Sequence, residues 1–501
     1  MIRVSKRLSR ISVDSELWKA AYYNQFVLPR ASRIPGIKET GRTDRLRYSS
    51  KLSRWLDDAY LVKTGSETNW KQQYRLRHNW SNGQCAISEI IVTERPPEPP
   101  LLVMMHNGVV FTADSITGLR AWDSKQGKDM IASTSFVDSD TGTPQLPTSM
   151  ALDFHDGDTG QQKVVVGYES GAFTIFELKN NSFTMLFSHP ASSNGMLSAL
   201  AYSSPYLLTM TEDHILSLYN FPQDQPSPNY LAPPQLMCSL RSHTAWPPIS
   251  LSLRPSTGGI TAAIAYALPT LLSGWTVGIQ ELRLTRDGEL LESRLASAGD
   301  DCRCTSSNYP STSLRSIRSS SQVLGTNPLP KGTTSPSQSK PTSMSYSHPY
   351  LLVTHPDNTL TLYLVKSTST ALSISSGSRL WGHSSAVSGV HVGMRGKAVS
   401  VSRFGGELRV WDLEGGTTSS MARKRTLNGE LSVKVQPNPY ESPQKPSYQQ
   451  STQGVSLRFA LDQSFDDSTM SRGWVGFDEQ NVIVLREKSL GSQALVIYDF
   501  T

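Results

Sequence analysis

Four cysteines in 501 residues, Cys85, Cys238, Cys302 and Cys304, are too few to staple a chain of this length with disulfides. A reducing setting in the cytoplasm or nucleus is therefore expected. The sequence also lacks any run of about eighteen apolar residues free of charge, so no membrane span is expected. Its basic opening, MIRVSKRLSR, leads into no apolar stretch of the secretory kind. Missing too are G-x-x-x-x-G-K-S/T, G-x-S-x-G and H-E-x-x-H, the short patterns that cradle phosphate, raise a nucleophilic serine or hold zinc. In GYESG, Ser170 falls one place too late for the serine pattern, and its alternating neighbours mark a strand connection. Cys302 and Cys304 form a C-x-C pair with no second pair nearby, short of the four ligands that structural zinc needs. His106, His155, His189, His243, His355 and His383 are scattered, several in turn-like settings such as HNG and HPDN. No catalytic residue, cofactor or metal is assigned, and the chain reads as a non-enzyme.

What is present begins with an uneven charge. Residues 1–90 hold 17 Lys and Arg against 8 Asp and Glu, a local excess of +9 within a total of +6, which leaves the rest at about −3. Such a basic segment suits an acidic protein face, a nucleic acid or a membrane surface. No zinc-finger spacing or RNA-binding motif accompanies it, which disfavours nucleic acid.

The same segment reads as helical. Val4, Leu8 and Ile11 recur at helical spacing, while Lys6, Arg7 and Arg10 take other faces. Asp14 is placed to cap a second helix carrying Leu17, Trp18, Ala21 and Tyr22, and Pro29 marks its end. A further helix-prone region spans roughly 50–80, where Trp55, Tyr60, Trp70, Tyr74 and Trp80 alternate with Lys and Arg. Rings among basic groups can stack on bases, but helix packing accounts for them more economically.

From about residue 86 the pattern changes to short runs of period two separated by Gly, Asn, Asp, Ser and Pro, the mark of β-structure. Six units repeat strand, tight turn, strand, among them KVVVGYESGAFTIFEL and KAVSVSRFGGELRVWDL, with a weaker seventh at about 247–283. In TEDHILSLY and HPDNTLTLY, Asp213 and Asp357 each stand six residues before a tyrosine, Tyr219 or Tyr363. In GGELRVWDL, Leu408 and Val410 are expected to face the core, with Glu407 and Arg409 facing away; Arg120 lies comparably between Leu119 and Ala121. A hairpin alone buries too little surface to stand, and packing small sheets radially solves that problem. Seven such sheets over 86–501 average roughly 59 residues, above the usual 40–45. The excess lies in polar loops, chiefly 301–346, which is rich in Ser, Thr and Pro.

The segment from Gly382-His383 to Trp411-Asp412, with its two pairs 29 residues apart, resembles a WD repeat of the β-propeller family. That resemblance implies blade-structural roles for His383, Trp411 and Asp412, and by analogy for Trp122, Asp123, Asp213 and Asp357. The family places an Asp in the turn before the WD strand, bonded to the repeat's histidine. Here Gly405 holds that position, so His383 is expected to lack its usual partner. At the N-terminus, VSKRLSRI and Ser15-Glu16-Leu17-Trp18 resemble the latter part of an F-box. The Leu-Pro start of that family's first helix is absent, which raises the expectation of a missing upstream segment. An F-box joined through helices to a WD propeller implies a substrate receptor of a cullin-based ubiquitin ligase. Val4, Leu8, Ile11, Leu17 and Trp18 would then meet a Skp-family adaptor on its cullin scaffold, and the propeller would hold an unidentified substrate protein.

The expected molecule is all-β, a seven-bladed WD-repeat β-propeller with a short helical N-terminal region. Its expected divisions are partial F-box-like helices at 1–30, a basic helical linker at 31–85 and the propeller at 86–501. Arg120 and Arg409 are the candidate substrate contacts, because each faces opposite to its apolar neighbours. Two alternatives stay open: a scaffold for complex assembly without a ligase role, and a propeller enzyme with an unrecognised channel site.

Overall fold

The computed structural model describes residues 11–27, 69–124, 129–137, 142–153, 162–222, 231–241, 246–256, 259–270, 274–287, 289–298, 339–393, 396–403, 406–413, 432–437, 473–487 and 492–501. The chain divides into two compact units, one of residues 1–87, 435–445 and 498–501, the other of 88–434 and 446–497. The expected linker-propeller boundary at 85/86 thus falls at 87/88, and two later stretches join the N-terminal unit.

In that smaller unit, helix α1 (Ser15–Tyr22) starts where expected, with the Asp14 carboxylate accepting from the Glu16 and Leu17 backbone N–H groups at 3.0 and 3.4 Å. It runs on into a π-helical turn at Tyr23–Val27. Helix α2 (Trp70–Asn82) is capped by Asn69 and ends on Gly83, whose φ of 67° is the left-handed conformation that favours glycine. Aromatic residues fasten α1 to α2: Trp18 meets Tyr74 at 5.3 Å between ring centroids, and Tyr22 meets Trp70 at 5.6 Å. At the other end of α2, Trp80 stacks on Phe500 at 4.1 Å, and Asn79 donates to the Phe500 carbonyl at 2.9 Å. Trp70, Tyr74 and Trp80 are therefore packing residues. The stretches around Val4, Leu8, Trp55 and Tyr60 lie outside the described residues.

The described strands form seven sheets, antiparallel except where Gln84–Thr93 pairs in parallel with Gln436–Pro437 in the seventh. The first comprises Leu102–His106, Val109–Asp114, Gly118–Asp123 and Met130–Thr134. The second runs from Pro147–Leu152 to Ser182–His189, and the third from Leu197–Ser203 to Gln235–Arg241. The weakest repeat in the sequence forms a complete fourth sheet, Trp246–Ser256, Gly259–Thr270, Gly274–Leu284 and Leu290–Ser297. The fifth starts at Ser343–Ser347, and its outermost position is shared by Leu372–Ile374 and Ser378–Leu380. The sixth starts at Val387–Val392.

The seventh sheet brings together early and late strands, in the order Val475–Phe477, Asn481–Glu487, Gln493–Asp499, Gln84–Thr93, then the short Gln436–Pro437. The first strands of successive sheets are neighbours all the way round, and Val475–Phe477 in turn meets Leu102–His106. The ring is closed. The protein is a seven-bladed β-propeller.

Burial explains the strand patterns. Second strands have a neighbouring sheet on both faces, so Val164, Val165 and Val166, like Leu351, Leu352 and Val353, are all fully buried and read as unbroken apolar runs. Outermost strands such as Ser182–His189 alternate or expose their side chains instead. Between sheets the apolar residues form shared clusters; Met150, Val164 and Val166 of the second pack on Phe111, Ala113 and Leu119 of the first. At about 25 cal/mol per Å² of apolar surface removed from water, this sheet-to-sheet burial is the main stabilising contribution.

One boundary needs correction. The polar insertion does not extend to residue 346, because Ser343–Ser347 is a strand with Met344 and Tyr346 facing inward. Those two positions alternate with serines, a period-two pattern that the surrounding Ser and Thr obscure.

Candidate protein-binding site

Sites on a propeller depend on how its turns are held, and the sixth sheet shows how that is done here. The Trp411 indole N–H donates to the Ser400 hydroxyl at 2.8 Å, and Ser400 lies 2.6 Å from His383 Nε2. All three side chains are buried. Burial pushes the His383 pKa down to about 4, against the pull of Glu407, so the ring is neutral at pH 7. Ser400 then donates to Nε2, and the remaining ring N–H lies on Nδ1, directed at Glu407 Oε2 at 3.6 Å. That separation is too long for a hydrogen bond but short enough for electrostatic attraction.

Glu407 is therefore the carboxylate beside His383, but Nδ1 makes no hydrogen bond with it, as the missing Asp implies. Its carboxylate accepts from the Ser384 backbone N–H at 2.9 Å, the Ser384 hydroxyl at 2.7 Å and Arg409 Nε at 2.9 Å. Burial alone would raise its pKa; these donors hold it down at about 2. Glu407 was expected to face away from the core and is instead buried, because its longer side chain reaches back to the turn. Gly405 lies outside the described residues.

Other sheets use related carboxylate-arginine pairs at different offsets. In the first, Asp114 accepts from Arg120 at 2.9 Å and from the backbone N–H groups of Ile116 and Thr117, while Trp122 donates to Thr112 at 3.0 Å. In the fifth, Asp357 pairs with Arg379 at 2.7 Å and accepts from Thr359. Burial would raise the Asp357 pKa, but Thr359 and Arg379 lower it. In the fourth, buried Glu281 pairs with Arg254 at 3.0 Å and with Arg294, and Arg294 also donates to the Thr368 carbonyl and Ser367 hydroxyl of the fifth sheet. Asp213 lies in an exposed turn.

These networks change the reading of the two candidate arginines. Arg120 is 7% exposed and lies inside the molecule, where Asp114 and the Val92 carbonyl take its guanidinium. Arg409 is bound by Glu407 and by the Ser432 hydroxyl at 3.0 Å. Both hold turns in place. Neither Asp114 nor Glu281 stands out in the sequence, since each lies where no repeat offset points to it.

Among the described adaptor candidates, Ile11 is 42% and Leu17 45% exposed, and Val13 between them is 67% exposed. Trp18 differs, since its ring packs on Tyr74 and its indole N–H donates to the Ser12 carbonyl at 2.9 Å. No three His, Cys, Asp or Glu side chains among the described residues come together as a metal site would require. No described helix is long and apolar enough to cross a membrane. Cys85 is buried, and burial pushes its thiol up to about 12.

The family model of the F-box protein pof12 β-propeller matches residues 85–501. The chain belongs to that family. The match covers all seven sheets of this pof12-type propeller. Among solved structures it is similar to the WD40 β-propeller domain of Doa1, with 10% identity, 83% of this chain and 96% of that chain covered, and a TM-score of 0.36. It is also similar to the β-propeller domain of Cps50 (Swd1) from Myceliophteria thermophila, at 9% identity, 83% and 98% coverage and a TM-score of 0.41. A third is YCF48 from Cyanidioschyzon merolae, at 8% identity, 83% and 99% coverage and a TM-score of 0.40. No curated protein matches the chain. A propeller of this family, with turns held by neutral histidine and paired carboxylates, is a protein-interaction module.

Proposed function

We propose that the chain recruits substrates to an SCF-type ubiquitin ligase, meeting a Skp-family adaptor through its N-terminal helices and a target protein through the propeller. Membership in the family of F-box protein propellers carries this reading. The exposed apolar residues Ile11, Val13 and Leu17, just before and on α1, support it, because water-facing side chains of that kind suit a partner's apolar face. The mechanism is tethering: holding ligase and target on one chain raises their effective concentration for each other without covalent chemistry here.

The test is recovery of the full-length protein from its native cell. Adaptor and cullin are expected to co-purify, and Ile11→Asp with Leu17→Asp is expected to reduce adaptor recovery at least tenfold by order of magnitude while thermal unfolding of the propeller is unchanged. Recovery of other proteins without adaptor or cullin would instead make the chain a scaffold outside the ligase.

A further inference from the structure

The fourth sheet differs from the other six in its strands. Its first three have 11, 12 and 11 residues, whereas those of the first sheet have 5, 6 and 6. The extra length lies at one end. Register with the first strand stops at Trp246↔Ala267 and register with the fourth at Gly278↔Ser297, yet the middle pair continues to Thr270↔Gly274. A short two-stranded tongue therefore projects past the sheet, with Trp246 at its root and Trp275, opposite Pro269, beside its last pair.

The two indoles form an edge-to-face corner, with centroids 6.4 Å apart and planes at 83°. Trp246 is 48% exposed, an unusual position for so large an apolar ring. The ammonium of Lys340, itself exposed, stands 5.5 Å from the Trp275 ring centroid. Among the described residues that ammonium has no carboxylate partner. The chain thus places its own alkylammonium on an aromatic face, and the attraction is of ring quadrupole for cation.

We propose that the Trp246-Trp275 corner is a binding site for an alkylammonium side chain of a partner protein, with N-methylated lysine as the preferred form, and that Lys340 occupies it in the free chain. Methylation keeps the charge while removing hydrogen-bond donors and loosening hydration. A corner that offers ring faces and no described carboxylate therefore favours the methylated group over an ordinary lysine. Lys340 acts as a weak internal competitor, and displacing it lets the site respond to partners. The site stands whether or not the N-terminal helices bind an adaptor.

The experiment uses the full-length chain labelled with 5-fluorotryptophan, with the Trp246 and Trp275 fluorine resonances assigned from Trp246→Phe and Trp275→Phe variants. The probe is a Gly-Ser decapeptide with one central trimethyllysine; matched peptides carry lysine or uncharged norleucine. The trimethyllysine peptide is expected to shift both resonances with saturation. Lysine is expected to bind more weakly, and norleucine not to bind. Lys340→Ala is expected to tighten trimethyllysine binding about two- to fivefold, the range of an exposed cation–π contact. Trp275→Phe is expected to weaken it while preserving the fold. Equal shifts from norleucine, no shift from trimethyllysine, or unchanged affinity in Lys340→Ala would overturn the proposal. None of these outcomes bears on adaptor recovery.

Discussion

His383 links one ring nitrogen to the acid stability of the whole propeller. Its pKa is about 4 in the folded chain and near 6.5 when unfolded, so below pH 6.5 the unfolded state takes up a proton that the folded state refuses. Stability that is present above pH 6.5 is therefore lost progressively as the pH falls to about 4, by a few kcal/mol in order of magnitude. Chemical denaturation at intervals between pH 7 and pH 4 should show this slope. His383→Gln should begin less stable and vary less across the window; a variant with the same slope as wild type would show that another group is responsible. The sequence makes His383 and Trp411 legible because GH and WD are fixed pairs. It hides Glu407, since a carboxylate two residues later reaches the same place through one more methylene, and spacing alone does not register the substitution.

For single elements, the hairpin at Gly118 shows how narrowly a turn can be specified. Gly118 has φ of +80°, and a Cβ there would lie 2.1 Å from the Thr134 carbonyl oxygen of the adjacent outer strand. Gly118→Ala therefore meets both a disfavoured backbone and an immovable atom. It is expected to lower the midpoint of thermal unfolding by an amount equivalent to roughly 2–4 kcal/mol. An unchanged melting profile would mean that the first hairpin opens without cost. Strands were legible as short runs between tight turns of Gly, Asn and Asp, but the expected period-two alternation missed that strands such as Val164, Val165 and Val166 are buried on both faces. The fourth sheet was faint because its long strands carry alanines, among them Ala262, Ala263, Ala265 and Ala267, which fill the core without marking a periodicity. The Trp246-Trp275 corner left no motif, because it depends on register between strands about thirty residues apart.

For the molecule as a whole, stability rests on one sheet that takes strands from both ends of the chain. Ending the chain after Glu487 removes Gln493–Asp499 from the middle of that sheet and leaves Gln84–Thr93 paired only with the two residues Gln436–Pro437. Such a chain is expected to keep much of its far-ultraviolet signal but to lose its single sharp calorimetric transition. A synthetic peptide spanning residues 492–501 is expected to restore part of that transition. A truncated chain that melts like the full one would show that the ring does not need closing. The repeat series made the ring legible in advance. The assignment of residues 435–445 and 498–501 to the N-terminal unit was not, because it rests on contacts such as Trp80 on Phe500 that no local pattern announces.

The two-ended sheet also sets a clock. Residues 84–93 are made long before residues 493–499 and must wait, unpaired along one edge, until that strand has followed. Nothing that recognises the finished circle can engage a nascent chain. A chain that lacks residues 493–499 carries an open strand edge along Gln84–Thr93.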